Sequence, residues 1–361
     1  MNDGNVMAAG GVPAPGEGTV ALGVGILGSG YMGRTYAFGL REINHDARLV
    51  AVAGGSRAAQ LAEDYGAAAE ATPEVLIARP DVDVVLVATP HSTHLPLTLA
   101  AIAAGKHVYL EKPMALTVGE CDRMIDAAAR AGVLLSVNKI TRHRGAGQTA
   151  RRLIDEGAIG DVRMIRGTYL IAGYDAPTKE WLMDPAEGTP WLDYGAHGVD
   201  IVRWLSGSEA VLAFGRFHSF QAGPPPLQSG MVEFVMANGV IAQLWMSYEV
   251  PVESVGELGR YLITGSTGVI DFNAYGDVRV DRGDGRGWVT EWQTPPFQYL
   301  ADPFTVNRVK GFADQFQDFL DAISEGRQPS VTGADGRAAI AMVEAAERSS
   351  QTGQVVRLDG R

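Results

Sequence analysis

At 361 residues the chain is too long for one typical domain of roughly 150 residues, and two halves of that size can each bury a core. Thirty Lys and Arg against 42 Asp and Glu leave a net charge of −12, which repels phosphate backbones and anionic lipid and turns the search away from nucleic acid and membranes. No apolar run reaches the roughly 18 to 20 residues of a bilayer span, and the single cysteine, Cys121, can close no intramolecular disulfide or cysteine zinc cluster. A soluble protein of the reducing cytoplasm is expected.

Forty-five glycines, about an eighth of the chain, exceed the usual share of about 7% and call for locations. Some lie in residues 1–18, a Gly, Pro and Ala stretch without an apolar face, expected to be a flexible arm. It does not read as a secretory signal, since Asp3 stands where a basic start belongs and no apolar stretch follows.

From Val20, short β-branched runs alternate with Ala- and Leu-rich helical segments. Strands are predicted over 21–27, 49–53, 82–88, 107–110 and 134–137, and helices over 31–42, 58–65, 96–104 and 118–131. Gly105 and Gly132 stop the last two helices. This β-α-β-α order predicts a doubly wound dinucleotide-binding (Rossmann) domain over 19–140. Beyond Asp155 the runs 162–171, 211–217, 231–236, 240–248, 261–263 and 269–272 follow one another mostly through turns. Asn238-Gly239 suggests a tight primed hairpin turn, with positive φ at both central residues. Helices at 306–324 and 335–350 close an α/β domain, 141–361, with a large, mostly antiparallel or mixed sheet for substrate binding and oligomerisation.

The first strand runs straight into Gly28-Ser29-Gly30-Tyr31-Met32-Gly33, a G-x-G-x-x-G that opens a helix. The first glycine permits the turn, the second lets a pyrophosphate approach the backbone, and the third packs helix on strand. At the end of the second strand, Ala53-Gly54-Gly55-Ser56-Arg57 offers no carboxylate for a ribose. Ser56 and Arg57 leave room for a 2′-phosphate, so the cofactor is NADP or NAD with NADP favoured.

Polar groups recur at later strand ends: Thr89, Pro90, His91 and His94 after the third long strand, then Glu111-Lys112-Pro113. This is the edge where such sheets bind ligands. His91-Ser92-Thr93-His94 invites a zinc reading but has no evident third ligand, and no metal is expected. Asp193 and His197 are four apart, which on a helix places both on one face, a carboxylate beside a histidine suited to general base work.

The G-x-G-x-x-G, the Glu-Lys-Pro at a strand end and the Asp-x-x-x-His helix, in this order, resemble the glucose-fructose oxidoreductase, inositol dehydrogenase and rhizopine-catabolism (Gfo/Idh/MocA) family, from Val20 to near Val355. The resemblance implies that Lys112, Asp193 and His197 are catalytic, with His197 exchanging the substrate hydroxyl proton and Lys112 orienting that oxygen. It also implies that Arg142 faces the site. The chain departs from the family's pattern at Thr189-Pro190-Trp191 and His143. These positions, with Tyr169, Tyr174, Lys179 and Trp181, are expected to border a sugar, polyol or cyclitol whose secondary alcohol is oxidised reversibly. Two other readings stay open: a redox-neutral enzyme with tightly held cofactor (glycoside cleavage, epimerisation or disproportionation), and a non-catalytic nicotinamide-sensing binding protein. The broad second sheet needs one face covered, so a homodimer or homotetramer is expected.

Overall fold

Leu22–Leu27 is apolar on both faces, and it becomes a central strand of a sheet that is covered on both sides. The computed structural model describes residues 21–171, 183–220, 222, 226–250, 258–295 and 303–358. In it β1 (Leu22–Leu27), β2 (Ala47–Ala53), β3 (Ala68–Glu70), β4 (Val84–Val87), β5 (His107–Leu110) and β6 (Leu135–Val137) form a parallel sheet in the order β3-β2-β1-β4-β5-β6. The crossovers carry α1 (Tyr31–Glu42), α2 (Ala58–Tyr65), α3 (Pro73–Ile77), α4 (His94–Ala103) and α5 (Val118–Ala131).

Helices α1, α2 and α5 have the predicted bounds, and α2 and α5 end on left-handed Gly66 and Gly132. Helix α4 starts two residues early, because Pro96 in its first turn lacks only an N–H that has no helical partner. The sequence reading misses β3 and α3; three residues without β-branching and five residues capped by Thr72 are too short to show a period.

The second half adds α6 (Gly145–Asp155), β7 (Val162–Leu170), α7 (Ala196–Ser206), β8 (Ala210–His218), β9 (Ser229–Met236), β10 (Ile241–Ser247), β11 (Leu258–Gly265), β12 (Val269–Asn273), β13 (Asp277–Asp281), β14 (Val289–Gln293), α8 (Val306–Glu325), α9 (Gly333–Thr352) and β15 (Val356–Arg357). Nine strands join in the order β14-β13-β12-β11-β7-β10-β9-β8-β15, antiparallel except for the β7–β10 pair. Asn238-Gly239 does connect β9 and β10, but only Gly239 has a positive φ, 87°. Asn238 instead accepts the Val240 N–H on its own side chain at 3.3 Å, so the primed turn is not formed.

One face of this sheet packs on α6, α7 and α9 through Ile165, Phe234, Leu244 and their neighbours. The other face presents Met164, Phe214, Met231, Ile241, Trp245 and Leu262, each at least 38% exposed. Ile241 pairs with Met164, and Trp245 with Met231, so these side chains form one surface and not scattered points. Among the described residues no helix is long and apolar enough to cross a membrane.

The expected division at residue 140 assigns α8 to the second half, yet its side chains complete the first. Phe312, Phe316, Phe319 and Leu320 share a buried cluster with Val24, Ile26, Tyr36 and Tyr109. The Tyr109 and Phe316 rings meet edge to face at 5.0 Å. Emptying a position of this kind costs about 3–5 kcal/mol.

The β1–α1 turn divides its three glycines by role. Gly28 has φ 107°, and a Cβ there would lie 2.2 Å from the Ala88 carbonyl oxygen. A Cβ on Gly33 would lie 1.9 Å from the Gly28 carbonyl oxygen, whereas one on Gly30 would meet nothing within 4 Å. Thermal unfolding tests the division: Gly33→Ala is expected to lower Tm by several degrees, the effect of a few kcal/mol of overpacking, and Gly30→Ala to leave it within about a degree.

Candidate active site

Parallel pairing brings successive strand ends side by side. The Ala88 N–H donates to the Leu27 carbonyl at 2.8 Å, Glu111 to Val87 at 2.9 Å, and Asn138 to Leu110 at 2.8 Å. The residue after each of the last two, Lys112 and Lys139, therefore projects from the carboxyl edge of the sheet. Glu111 fixes this edge. Its Oε1 accepts the Tyr36 hydroxyl at 2.6 Å and Asn138 Nδ2 at 2.8 Å, and its Oε2 accepts the Lys112 N–H at 3.1 Å. Burial pushes the Glu111 carboxyl above the usual carboxylate range. Glu111, expected to touch the cofactor, accepts through both oxygens within the protein, on the strand ends that aim Lys112.

Asp193 arrives from the other half on a π-helical turn, Trp191–Gly195, that leads into α7. Such wide turns recur at functional sites. Trp191 anchors this one: its indole N–H donates to the Val343 carbonyl at 3.1 Å and its ring packs on Phe217. Thr189 donates to Glu347 at 2.8 Å while its oxygen accepts the Leu192 N–H. Trp191, expected to border the substrate, is turned into the core against α9, because the π turn directs Asp193 and not Trp191 toward the sheet edge.

The Lys112 ammonium donates both to Asp193 Oδ1 and, at 3.1 Å, to the Asp193 carbonyl. It also lies 5.4 Å from the centroid of Tyr194, whose ring stands 6.0 Å from that of His197. Tyr169 and Tyr248 back Tyr194 edge-on. His197 is partly buried, and burial, then the Lys112 and Lys139 charges, hold its imidazole well below the ordinary histidine range, with Asp193 opposing. The imidazole is therefore neutral near pH 7 and able to accept a proton.

His91 also belongs to this cluster. Its Nδ1–H donates to the Glu187 carbonyl at 2.8 Å, its Nε2 lies 3.9 Å from Asp193 Oδ1, and burial pushes it down to about 3. Glu187, which the sequence reading missed, accepts Ser92 through backbone (3.0 Å) and hydroxyl (2.6 Å), latching the segment before α7 onto the β4 edge. His94 is fully buried, its ring between the Pro113 and Thr89 carbonyls at 2.9 and 3.0 Å. It holds the loop beneath Lys112. Among the described residues no group of three or more His, Cys, Asp or Glu is placed to hold a metal ion.

Arg142 is not brought to this cluster. Its guanidinium grips Asp200 at 2.9 and 2.6 Å and Asp335 at 3.2 Å, and Arg203 joins Asp335 at 2.7 Å. Two carboxylates compensate its burial, and it ties the β6 edge to α7 and α9. The surrounding cations hold the Asp335 carboxyl at about 2, against the desolvation that would raise it. His143 turns away as well, toward Ser330 at 3.3 Å. Tyr169 is 5% exposed and hydrogen-bonds Tyr261 through its hydroxyl, a support behind Tyr194 and not a wall of the pocket. Tyr174, Lys179 and Trp181 lie outside the described residues. Lys139, buried beside Asp200 and the Ala196 carbonyl, was not singled out from the sequence, although its position after β6 repeats that of Lys112 after β5.

The glycine turn fits a dinucleotide pyrophosphate. Helix α1 starts without a side-chain cap and without an acid in its first turn, and the space beside Gly30 is open. Ser29 is committed to the next loop, its hydroxyl accepting the Arg57 N–H at 3.2 Å. Tyr31 packs on Phe304 and under Arg308, and Met32 packs against the buried cluster to which α8 contributes its aromatic side chains. Ser56 and Arg57 are exposed after Gly54 and Gly55, and Thr89 accepts the Thr93 hydroxyl at 2.7 Å beside Pro90.

Comparison with known proteins agrees with this geometry. Residues 22–139 match the oxidoreductase family with an NAD-binding Rossmann fold, and residues 148–271 match the GFO/IDH/MocA C-terminal domain. The chain is 29% identical over 347 residues to the 1,5-anhydro-D-fructose reductase of Ensifer adhaerens, covering 93% of this chain and 98% of that one. It is 29% identical over 346 residues to inositol 2-dehydrogenase 2 of Saccharopolyspora erythraea, covering 92% and 94%. The crystal structure of aldose-aldose oxidoreductase from Caulobacter crescentus, complexed with glycerol, superposes with a TM-score of 0.79 at 28% identity, covering 94% of this chain and all of that one. With both domain matches spanning most of the chain in the right order, the protein belongs to the Gfo/Idh/MocA family of NAD-binding oxidoreductases.

Proposed function

We propose that the protein reversibly oxidises a secondary alcohol of a sugar, polyol or cyclitol in the cytoplasm, with His197 as acid and base and Lys112 as the group that orients the substrate oxygen. The observation that carries this reading is the meeting of Lys112, Asp193 and His197 at the carboxyl edge of the cofactor sheet. A nicotinamide cofactor held at the glycine turn would exchange the hydride. The chain's own residues manage the proton and the charge. Asp193 holds the Lys112 ammonium on station, and the ammonium donates to the substrate oxygen and stabilises negative charge that develops there. Neutral His197 takes the hydroxyl proton as the carbonyl forms and returns it in the reverse direction. The sugar reductase and inositol dehydrogenase among the relatives support this substrate class.

His197→Ala and Lys112→Ala are expected to fold and to lose about 10²- to 10⁴-fold in kcat on a sugar and polyol panel followed by nicotinamide absorbance. Near-wild-type turnover in either variant would retire the assignment.

Cofactor choice rests on the end of β2, where Ser56 and Arg57 are exposed and no carboxylate stands in 53–57. In our reading the Arg57 guanidinium holds a 2′-phosphate, and NADP is preferred over NAD. Arg57→Ala should then reduce the NADP to NAD ratio of kcat/KM by about tenfold or more, the worth of one charged hydrogen bond. A preference for NAD that survives the substitution would sink the clamp.

The open sheet face supports pairing with a second copy. Met164, Met231, Ile241, Trp245 and Leu262 are arranged so that a twofold axis could bury them against themselves. Trp245→Glu is expected to lower the mass seen by light scattering from an oligomer to the monomer. A wild-type monomer at micromolar concentration would refute the interface.

A further inference from the structure

Lys139 is the one lysine among the described residues that is fully buried, at 2% exposure. Its Nζ donates to the Ala196 carbonyl at 3.2 Å and stands 3.9 Å from Asp200 Oδ1. Burial pushes the Lys139 ammonium below the ordinary lysine range, with Asp200 opposing, a cost that a methionine of similar length would not carry. Neutralising Asp200 does not account for it, because both oxygens of that carboxylate already accept from Arg142, at 2.9 and 2.6 Å. What the ammonium reaches instead is the carbonyl immediately before His197. Adjacent parallel strands thus send two lysines to the start of one helix, Lys112 from β5 to the Asp193 carbonyl and Lys139 from β6 to the Ala196 carbonyl.

The two lysines are not equivalent. Lys112 is paired with the Asp193 carboxylate, which offsets its charge. The partner of Lys139 is shared with Arg142, so its charge is less fully offset.

The groups that face His197 come from every element around it. Lys112 stands at the end of β5, Lys139 after β6, and Asp193 and Tyr194 on the π turn. Arg144 stands at the start of α6, over Tyr275, and Tyr169 and Tyr248 lie behind Tyr194. Asp200 lies one turn further along α7. Burial is the largest influence holding the imidazole low, with Lys112, Lys139 and Arg144 acting in the same direction and Asp193 opposing.

We propose that Lys139 is a positioning residue for the reaction: its buried ammonium clamps the carbonyl that precedes His197 and keeps the imidazole in its proton-accepting form. The proposal rests on the assignment of His197 as the proton acceptor. It adds a residue that touches neither substrate nor cofactor, and that acts on the reaction through the base.

The test is the pH dependence of kcat/KM for alcohol oxidation in Lys139→Gln, which keeps a donor but removes the charge, and in Lys139→Arg, which keeps the charge. Protonation of His197 sets the acid limb. Removing a nearby positive charge favours the imidazolium, so the limb should move to higher pH in Lys139→Gln, by about one unit. Lys139→Arg should keep the wild-type limb, and the KM for cofactor should stay unchanged in both. If Lys139→Gln does not fold, Lys139→Met, which fills the same space without charge, carries the same expectation. An unmoved limb in a folded neutral variant would overturn the proposal. So would failure of both neutral variants to fold while Lys139→Arg folds, since the lysine would then be structural. Full turnover by His197→Ala would instead remove the underlying assignment.

Discussion

The ion pair between Lys112 and Asp193 is the constraint on which the site depends, because its two halves come from different domains. Neither partner is placed by local preference alone. The lysine is aimed by a buried carboxyl, Glu111, that stitches β5 to β6 and to α1. The aspartate is aimed by a π turn whose tryptophan is anchored in α9. A charged hydrogen bond made across this boundary is worth roughly 1.5–3 kcal/mol. Its larger consequence is geometric: it sets the distance between the carboxyl edge of the parallel sheet and the helix that carries His197. The Glu187 latch on Ser92 and the Arg142 pairs with Asp200 and Asp335 brace the same boundary on either side.

Much of this was legible in the residues, and the reason differs by element. The glycine turn could be read because each glycine answers a separate steric demand that a sequence records directly. Helices α1, α2 and α5 could be read because their apolar spacing runs for two or more turns and glycine ends two of them. Lys112, Asp193 and His197 could be named by family resemblance, and the structure brings all three together. The partners of Arg142 could not be read because a cation near a site looks the same in sequence whether it faces a substrate or two carboxylates that lie 58 and 193 residues away. Trp191 was read as a pocket residue because it stands where the resemblance expects glycines, and the widening of the backbone to a π turn that sends it into the core leaves no mark in the sequence. Short pieces such as β3, α3 and β15 carry too few residues to show any period. Lys139 left only a positional echo of Lys112, which has meaning once β5 and β6 are known to be neighbours.

The second sheet shows a different limit of sequence reasoning. Its strands alternate clearly, and the alternation says that one face is apolar and packed. It does not say that the opposite face will also carry Met164, Met231, Ile241 and Trp245, because these are spread over β7, β9 and β10 and become one surface only through the strand order. Patterning along a strand is local, whereas the making of a patch is a property of register.

The place of α8 has a consequence for how the protein is made. The cofactor domain is almost complete by residue 139, yet the flank of its sheet that α1 and α2 begin to cover is not closed until the aromatic residues of 312–320 arrive, after the whole nine-stranded sheet except its last edge strand. At translation rates of about 5 to 20 residues per second, that leaves Tyr36 and Tyr109 without their aromatic partner Phe316 for roughly ten seconds or more. The two halves therefore do not mature one after the other on the ribosome. The nucleotide-binding half waits for the end of the chain, so a truncated product that contains every motif of the cofactor site would still lack the surface that stabilises it.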